Sequence, residues 1–324
     1  MNKLKKIGVT ALAGTLATLS AAQAGSLSVS GTAELSYVQR DSGEITGNPI
    51  GMGKDITFNG SGELDNGWTV SVMHDLTDAA AWSNSSITIG MGQLGTIIID
   101  QDAGKDFGSA LDNVVPQAFE EADAGMSTGL RVTGGAIDHS GAITYKLPVF
   151  SGLQLGGSYQ PRSGAVSNAD GGTSEGTGKE GWEFAADWSP EMVPGLRVGY
   201  VNGTCTDCMA GGKDKDDDTY FATYAYGPLS IGYQAADIDD GTNSYDTDIY
   251  GVSFNVNDAL SVSYQYGETD GSNAAYTTAE FRGVSAAYNI GPMAIKFTDN
   301  SGKNINGVAT DDDDNRELNL SMSF

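Results

Sequence analysis

Hydrophobic and polar residues alternate along most of this chain. Leu27, Val29, Ala33, Leu35 and Tyr37 interleave with Ser28, Ser30, Thr32, Glu34 and Ser36. The same alternation runs through Trp68/Val70/Val72, Ile87/Ile89/Met91, Leu153/Leu155/Tyr159, Trp182/Phe184/Ala186/Trp188 and Leu196/Val198/Tyr200. It continues in Tyr220 to Tyr226, Leu229 to Tyr233, Tyr250 to Val256, Leu260 to Tyr266, Val284 to Tyr288 and Met293 to Phe297. At the C-terminus Leu318, Leu320, Met322 and Phe324 alternate with Asn319, Ser321 and Ser323. A period of two is that of a β-strand with one apolar and one polar face. With further strands expected near 52–64, 95–100 and 129–147, the count is sixteen.

The segments are close to the ~9–11 residues that cross a bilayer as a tilted strand. Their connections sort by length. Short ones fall at 65–66, 93–94, 227–228, 257–259 and 291–292, with slightly longer ones at 148–152 and 190–195. Between them stand long polar connections at 39–51, 162–180, 202–217, 238–245 and 301–314. Short turns on one side and long loops on the other characterise transmembrane barrels. A soluble sandwich alternates too, but its loops need not sort this way. Aromatics on the apolar face gather at segment ends, among them Tyr37, Trp68, Tyr159, Trp182, Trp188, Tyr200, Tyr220, Tyr226, Tyr266, Tyr288 and Phe324. Amphipathic rings suit the two membrane–water interfaces. The pattern predicts an all-β fold: a transmembrane antiparallel β-barrel of sixteen strands.

The N-terminus adds a compartment. Lys3, Lys5 and Lys6 precede a small-residue apolar stretch from Ile7 to Leu19 and then Ala22-Gln23-Ala24. This is the layout of a cleaved secretory signal peptide, 1–24, leaving a single domain over 25–324. Cleavage would leave 300 residues and move the net charge from −25 to −28. Such acidity argues against nucleic acid as a partner, because phosphates would be repelled.

Four stretches carry a resemblance. The signal peptide followed by SLSVSGTAELSY, the hairpin DITFNGSGELDNGWTVSV, the segment DNVVPQAFEEAD and the terminal LNLSMSF resemble the Gram-negative porins, in particular the general-porin type of marine alphaproteobacteria. The resemblance spans essentially the whole mature chain. It implies a sixteen-stranded barrel in the outer membrane, assembled as homotrimers, with its third loop folded inward to narrow the channel. It also implies that Phe324 is read by the outer-membrane assembly machinery.

That third connection, 101–128, has 28 residues, long enough to need a functional explanation. It carries apolar anchors, Phe107, Leu111, Val114, Val115 and Phe119, that a surface loop would not need. Its charges are Asp102, Asp106, Asp112, Glu120, Glu121 and Asp123 against a single Lys105. On the wall, strand phase points Glu34, Asp55, Glu63, Asp75, Asp100, Glu183, Asp187 and Glu317 inward, with Arg40, Lys146, Arg197 and Lys296 as the basic counterparts. Carboxylate rings in a narrow opening favour cations. The resemblance implies basic residues set across from the loop's carboxylates, with Arg40, Lys146 and Lys296 as the candidates.

Other chemistry is sparse. Acidic runs at Asp214–Asp218 and Asp311–Asp314 could bind Ca²⁺ through hard oxygen ligands, but their spacing is not that of a calcium loop. Cys205 and Cys208 lie in what the pattern makes a loop, and an oxidising compartment favours an intraloop disulfide. The two histidines, His74 and His139, complete no nucleophile–base–acid set, and no metal or cofactor motif is present. The sequence therefore predicts a non-enzymatic outer-membrane channel for small hydrophilic solutes and ions, cation-preferring, in contact with lipid and lipopolysaccharide. A substrate-specific channel and a non-conducting surface-structural protein are the alternatives.

Overall fold

A computed structural model describes residues 25–41, 47–77, 82–131, 137, 140–161 and 179–324. The expected signal peptide and His139 lie outside the described residues. Sixteen strands form one closed barrel in which each strand pairs antiparallel with its sequence neighbours. They are β1 (Ser26–Asp41), β2 (Ile50–Glu63), β3 (Thr69–Leu76), β4 (Trp82–Gly90), β5 (Thr96–Gln101), β6 (Ser140–Lys146), β7 (Leu153–Gln160) and β8 (Gly181–Trp188). Then follow β9 (Leu196–Met209), β10 (Lys213–Tyr226), β11 (Leu229–Asp239), β12 (Ser244–Asn255), β13 (Leu260–Gly271), β14 (Ala279–Ile290), β15 (Met293–Lys303) and β16 (Asp313–Ser323).

Closure joins β1 to β16, with Leu35 opposite Leu320 and Tyr37 opposite Leu318. No strand edge is left unpaired, which is what a barrel in hydrocarbon requires. The apolar positions of the alternation face outward. Val29, Leu35, Phe184, Ile231, Tyr250, Val284 and Leu320 are all exposed on the outer surface. Inward positions hold Ser, Thr, Asn, Gln and carboxylates, many of them buried, including Thr144, Gln234, Thr298 and Asn315. The polar face of each strand is the inside of the barrel.

Two rims mark the membrane boundary. On one, outward tyrosines neighbour each other across strands: Tyr220 and Tyr233 lie 6.4 Å apart, and Tyr233 and Tyr250 5.0 Å. Just beyond them come outward carboxylates. Tyr266 donates to Glu268 at 2.7 Å, and Tyr200 donates to Asp218. The transition from aromatic to charged residues along one face is the expected mark of an interface. At the opposite rim Phe324 closes the barrel. Its amide donates to Gly31 O at 3.0 Å, the Gly31 amide donates back at 2.9 Å, and the ring is 73% exposed. The ring fits only because Gly31 lacks a side chain; a Cβ there would sit 2.7 Å from the ring carbons.

The connections depart from expectation in one sector. β9 and β10 extend to a tight turn at 210–212, and β11 and β12 are joined by 240–243 alone. The expected long loop 202–217 is mostly strand, and half of 238–245 is. Hydrogen-bonded pairing continues beyond the apolar zone, where outward positions such as Asn202 and Thr204 turn polar. There the hydrophobic alternation fades while the ladder persists.

Candidate functional site: the third loop on the inner wall

The connection after β5 is built from its own short-range chemistry before it meets the wall. Asp100 is buried, and its carboxylate accepts the amides of Ala103 and Lys105, turning the chain inward. Asp106 caps a single helical turn, α1 (Phe107–Ala110), accepting the Ser109 amide at 2.8 Å. The turn presents Phe107 and Leu111 to one face. They pack with Ala185 of β8, Val201 of β9 and Phe221 of β10, with Val114 against them. A second apolar cluster, Ala122, Ala279, Phe281 and Ile305, holds the far end, with Met126 and Leu130 at its edge.

Between these clusters the loop backbone is irregular, so its amides and carbonyls need outside partners. The inward polar residues supply them. The Phe107 amide donates to Ser158 Oγ at 3.2 Å, Gly108 to Glu183 Oε2 at 3.1 Å and Val114 to Gln234 Oε1 at 3.1 Å. Ala118 donates to Ser263 at 2.9 Å, Phe119 to Ser285 at 3.1 Å and Ala122 to Gln265 Oε1 at 3.1 Å. Gln265 Nε2 in turn donates to Val115 O at 3.2 Å, and Asn300 Nδ2 to Glu121 O at 2.8 Å. At the end, the Ser127 amide donates to Asp313 Oδ2 at 3.0 Å. The loop thus follows the wall from β7 to β16, attached at nearly every strand.

Its approach is close enough to require missing side chains. A Cβ at Gly251 would lie 2.2 Å from Val115 Cγ1, and one at Gly283 would lie 2.7 Å from the Ala122 backbone. The sequence analysis did not use the glycines: Gly232, Gly251, Gly267 and Gly283 stand at inward phase on four successive strands, β11 to β14. That regularity, and the amide side chains beside it, was the available signal.

The predicted site residues divide by environment. Asp106 is fully buried as the helix cap, and Asp123 Oδ2 accepts the Leu130 amide at 2.7 Å, so both carboxylates hold the loop's own shape. Asp102 and Lys105 are exposed at the loop's entry. Asp112, Glu120 and Glu121 form the acidic surface between the two apolar clusters. Burial pushes the Asp112 carboxyl up to about 7, helped by repulsion from Glu121, Asp123, Asp217 and Asp106. Burial also raises Glu120, again with repulsion from Glu121 and from the wall carboxylates Glu317 and Glu34, against an opposing pull from Lys296.

The basic residues do not form a facing wall. Lys146 Nζ lies 4.7 Å from the Phe107 ring centroid and Lys296 Nζ lies 4.9 Å from that of Phe119, so both stand against the loop rather than across the lumen from it. Lys296 also approaches Glu34 at 3.9 Å. Arg197 forms a two-pronged pair with Asp187 at 2.9 and 3.0 Å and covers the Phe221 ring. Arg40 is inward on β1 opposite Asn315. Two of the inward acids, Asp100 and Glu183, are taken up in holding the loop.

Three further expectations change. Each acidic run is split by environment: Asp217 is buried on β10 beside Lys215 and Asp313 is buried under the loop, while Asp214, Asp216 and Asp312 are exposed. Both cysteines are on β9, and the structure holds them as free thiols in place of the expected disulfide. Cys205 faces inward and is buried, while Cys208, beyond the left-handed Asp207, donates its thiol to Cys205 O at 3.2 Å.

The closed sixteen-stranded barrel has counterparts among known proteins. The family model for Gram-negative porins matches residues 8–323. The chain belongs to the Gram-negative porin family. Solved structures share the fold. An anion-selective porin from Comamonas acidovorans aligns at a TM-score of 0.66 and 15% identity, covering 93% of this chain and all of that one. Salmonella typhi OmpF, in complex with daunomycin, aligns at 0.70 and 14%, covering 93% and 98%. A triple mutant of Rhodopseudomonas blastica porin aligns at 0.61 and 16%, covering 92% and 100%. No curated protein sequence matches the chain. The family places this porin in the outer membrane as a channel.

Proposed function

We propose that this porin is a general-diffusion channel that prefers cations. Hydrophilic solutes below a size limit cross through the water-filled lumen down their gradients, with no catalytic step and no bound cofactor. Residues 101–128 set the limit, since they occupy one side of the lumen along most of the wall. The observation that carries the cation preference is the balance of charge around that loop. Asp112, Glu120 and Glu121 on the loop act together with Glu317 on the wall. The basic groups nearby are compensated: Arg197 by Asp187 and Lys296 by Glu34. Carboxylates facing a narrow aqueous gap lower the energy of a passing cation and raise that of an anion. The fold alone does not set this sign, because one structural neighbour is named an anion-selective porin.

The same proposal includes cleavage of residues 1–24, assembly into trimers, contact with lipopolysaccharide and recognition of Phe324 by the assembly machinery. Reversal potential under a salt gradient, measured on the refolded protein in a planar bilayer, tests the selectivity. Cation selectivity is expected, and the double change Glu120→Gln with Glu121→Gln should move the potential toward zero. Anion selectivity of the unmodified channel would overturn it.

A further inference from the structure

At the long-loop rim, four connections border an open cavity of about 250 Å³ that the diffusion mechanism does not use. It is lined by Arg131 at the loop's exit, Asn243 before β12, Asn273 and Tyr276 between β13 and β14, and Asn306 between β15 and β16. The Arg131 guanidinium carbon lies over the buried Tyr245 ring, 3.8 Å from its centroid. Tyr245 is itself braced edge-on by Tyr276 at 5.7 Å, and Tyr276 rests on Gly307, where a Cβ would fall 2.1 Å from the ring.

Two features set this cavity apart from ordinary packing. Acidic residues outnumber basic ones 42 to 17 in the chain, yet Arg131 has no carboxylate partner among the described residues. Asp270, whose charge acts on Tyr276, is taken by the Thr278 hydroxyl, and Asp311 by Asn306. A guanidinium carries five N–H donors, more than one aromatic neighbour can use, and their fork suits the bidentate geometry that carboxylates fit. Beside that edge stand an aromatic ring and amide side chains, the combination that orients a small polar ligand. Asn273 uses its Oδ1 on the Ala275 amide, which leaves its amide nitrogen as a donor.

We infer that this cavity is an entry site for a sugar acid of monosaccharide size. Its carboxylate would lie on Arg131, its ring against Tyr276, and its hydroxyls near Asn243 and Asn273. The inference goes beyond the diffusion reading: the cation-preferring channel would carry a local anion-recognising step at its mouth.

The test uses the refolded channel in a planar bilayer, with glucuronate or glucose added at 1–50 mM, a range of about the millimolar affinity that an open site supports. Glucuronate is expected to interrupt single-channel current in a saturable way, and glucose is not. Arg131→Gln should weaken that block about tenfold, the loss of one charge-assisted pair. Arg131→Lys, which keeps the charge but not the planar fork, should weaken it too. Equal block by glucose, block indifferent to both substitutions, or no block by either solute would overturn the site. Loss of heat-modifiable mobility on a gel would identify a variant that fails to fold, and Asn273→Ala then carries the same comparison. Open-channel conductance reports on the diffusion reading separately, so either conclusion can fail alone.

Discussion

The inner wall of β7–β16 and that of β1–β4 carry the same alternation of polar residues, and the structure uses them for different ends. On the first, Ser158, Gln234, Gln265 and Asn300 are buried beneath the third loop and hydrogen-bonded to it. On the second, Glu34, Ser36, Asp55, Thr57 and Asp75 remain partly open to the lumen. A polar residue at inward phase is therefore either a wetted lining or a hydrogen-bonding anchor. Which of the two it becomes depends on a segment far away in sequence. The distinction matters because a buried amide left without its partner costs more than a wetted one.

The strongest way to break the comparison is to detach the covered side. Leu111 is 2% exposed in the cluster with Phe107, Val201 and Phe221. Leu111→Ala should cost the loop's attachment about 2–5 kcal/mol, the usual range for such a truncation. Hydrogen exchange in detergent at the Phe107 to Ala122 amides should speed by about 30-fold or more, the factor carried by 2 kcal/mol. The heat-modified mobility of the barrel should persist. Exchange that stays slow would mean that the polar anchors alone hold the loop.

A gentler disruption fills the space that the loop occupies. Gly251→Leu puts atoms where Val115 and Pro116 lie, since even a Cβ meets Val115 Cγ1 at 2.2 Å. Overpacking of this kind costs about 1–3 kcal/mol. Single-channel recordings should show larger and noisier conductance. The same substitution at Gly60 on β2, where a Cβ meets nothing within 4 Å, should leave conductance unchanged.

The architecture was legible because the alternation has a physical cause that acts at every strand: lipid outside, water or loop inside. Phase placed Phe184, Tyr250 and Leu320 outward and Glu183, Lys296 and Asp100 inward without knowledge of the pairing. The strand extensions past the membrane were not legible, because no apolar face is needed there. Nor was the division of the site. Asp106, Asp112 and Asp123 are alike in sequence, yet one caps a helix, one faces other carboxylates and one holds the Leu130 amide. Lys146 and Lys296 had the right phase, and only the loop's path could show that they sit beside it.

The comparison sharpens at matched single residues. Gln265 satisfies three loop groups, accepting from Ala122 and donating to Val115 O and Gln117 Oε1. Gln265→Ala should cost about 1–3 kcal/mol through the buried groups it orphans. Ser36→Ala on the open wall should stay within about 0.5 kcal/mol, as surface changes do. Both are read as shifts in the temperature at which the barrel loses its heat-modified mobility, with loop exchange measured alongside. Equal shifts would erase the distinction between anchor and lining.

The smallest effect expected is one charge at Asp112, and it tests whether the covered side still faces the ions. Its carboxyl is raised to about 7 by burial first and by neighbouring carboxylates second. A raised acid pKa means that the folded protein holds the proton over a range where a free carboxyl has lost it. Around pH 6 Asp112 is mostly neutral, and around pH 8 it is mostly charged. Cation selectivity should therefore rise modestly from pH 6 to pH 8, and Asp112→Asn should remove that part of the slope. Linkage gives a second sign to check: the folded state binds more protons between the ordinary carboxylate pKa and 7, so loop attachment weakens as pH rises through that window. Asp112→Asn should slow loop exchange at pH 8 relative to the unmodified protein and change it least near pH 4. A selectivity slope that survives the substitution would place the titrating group elsewhere, with Glu120 next in line because burial and Glu121 raise it too.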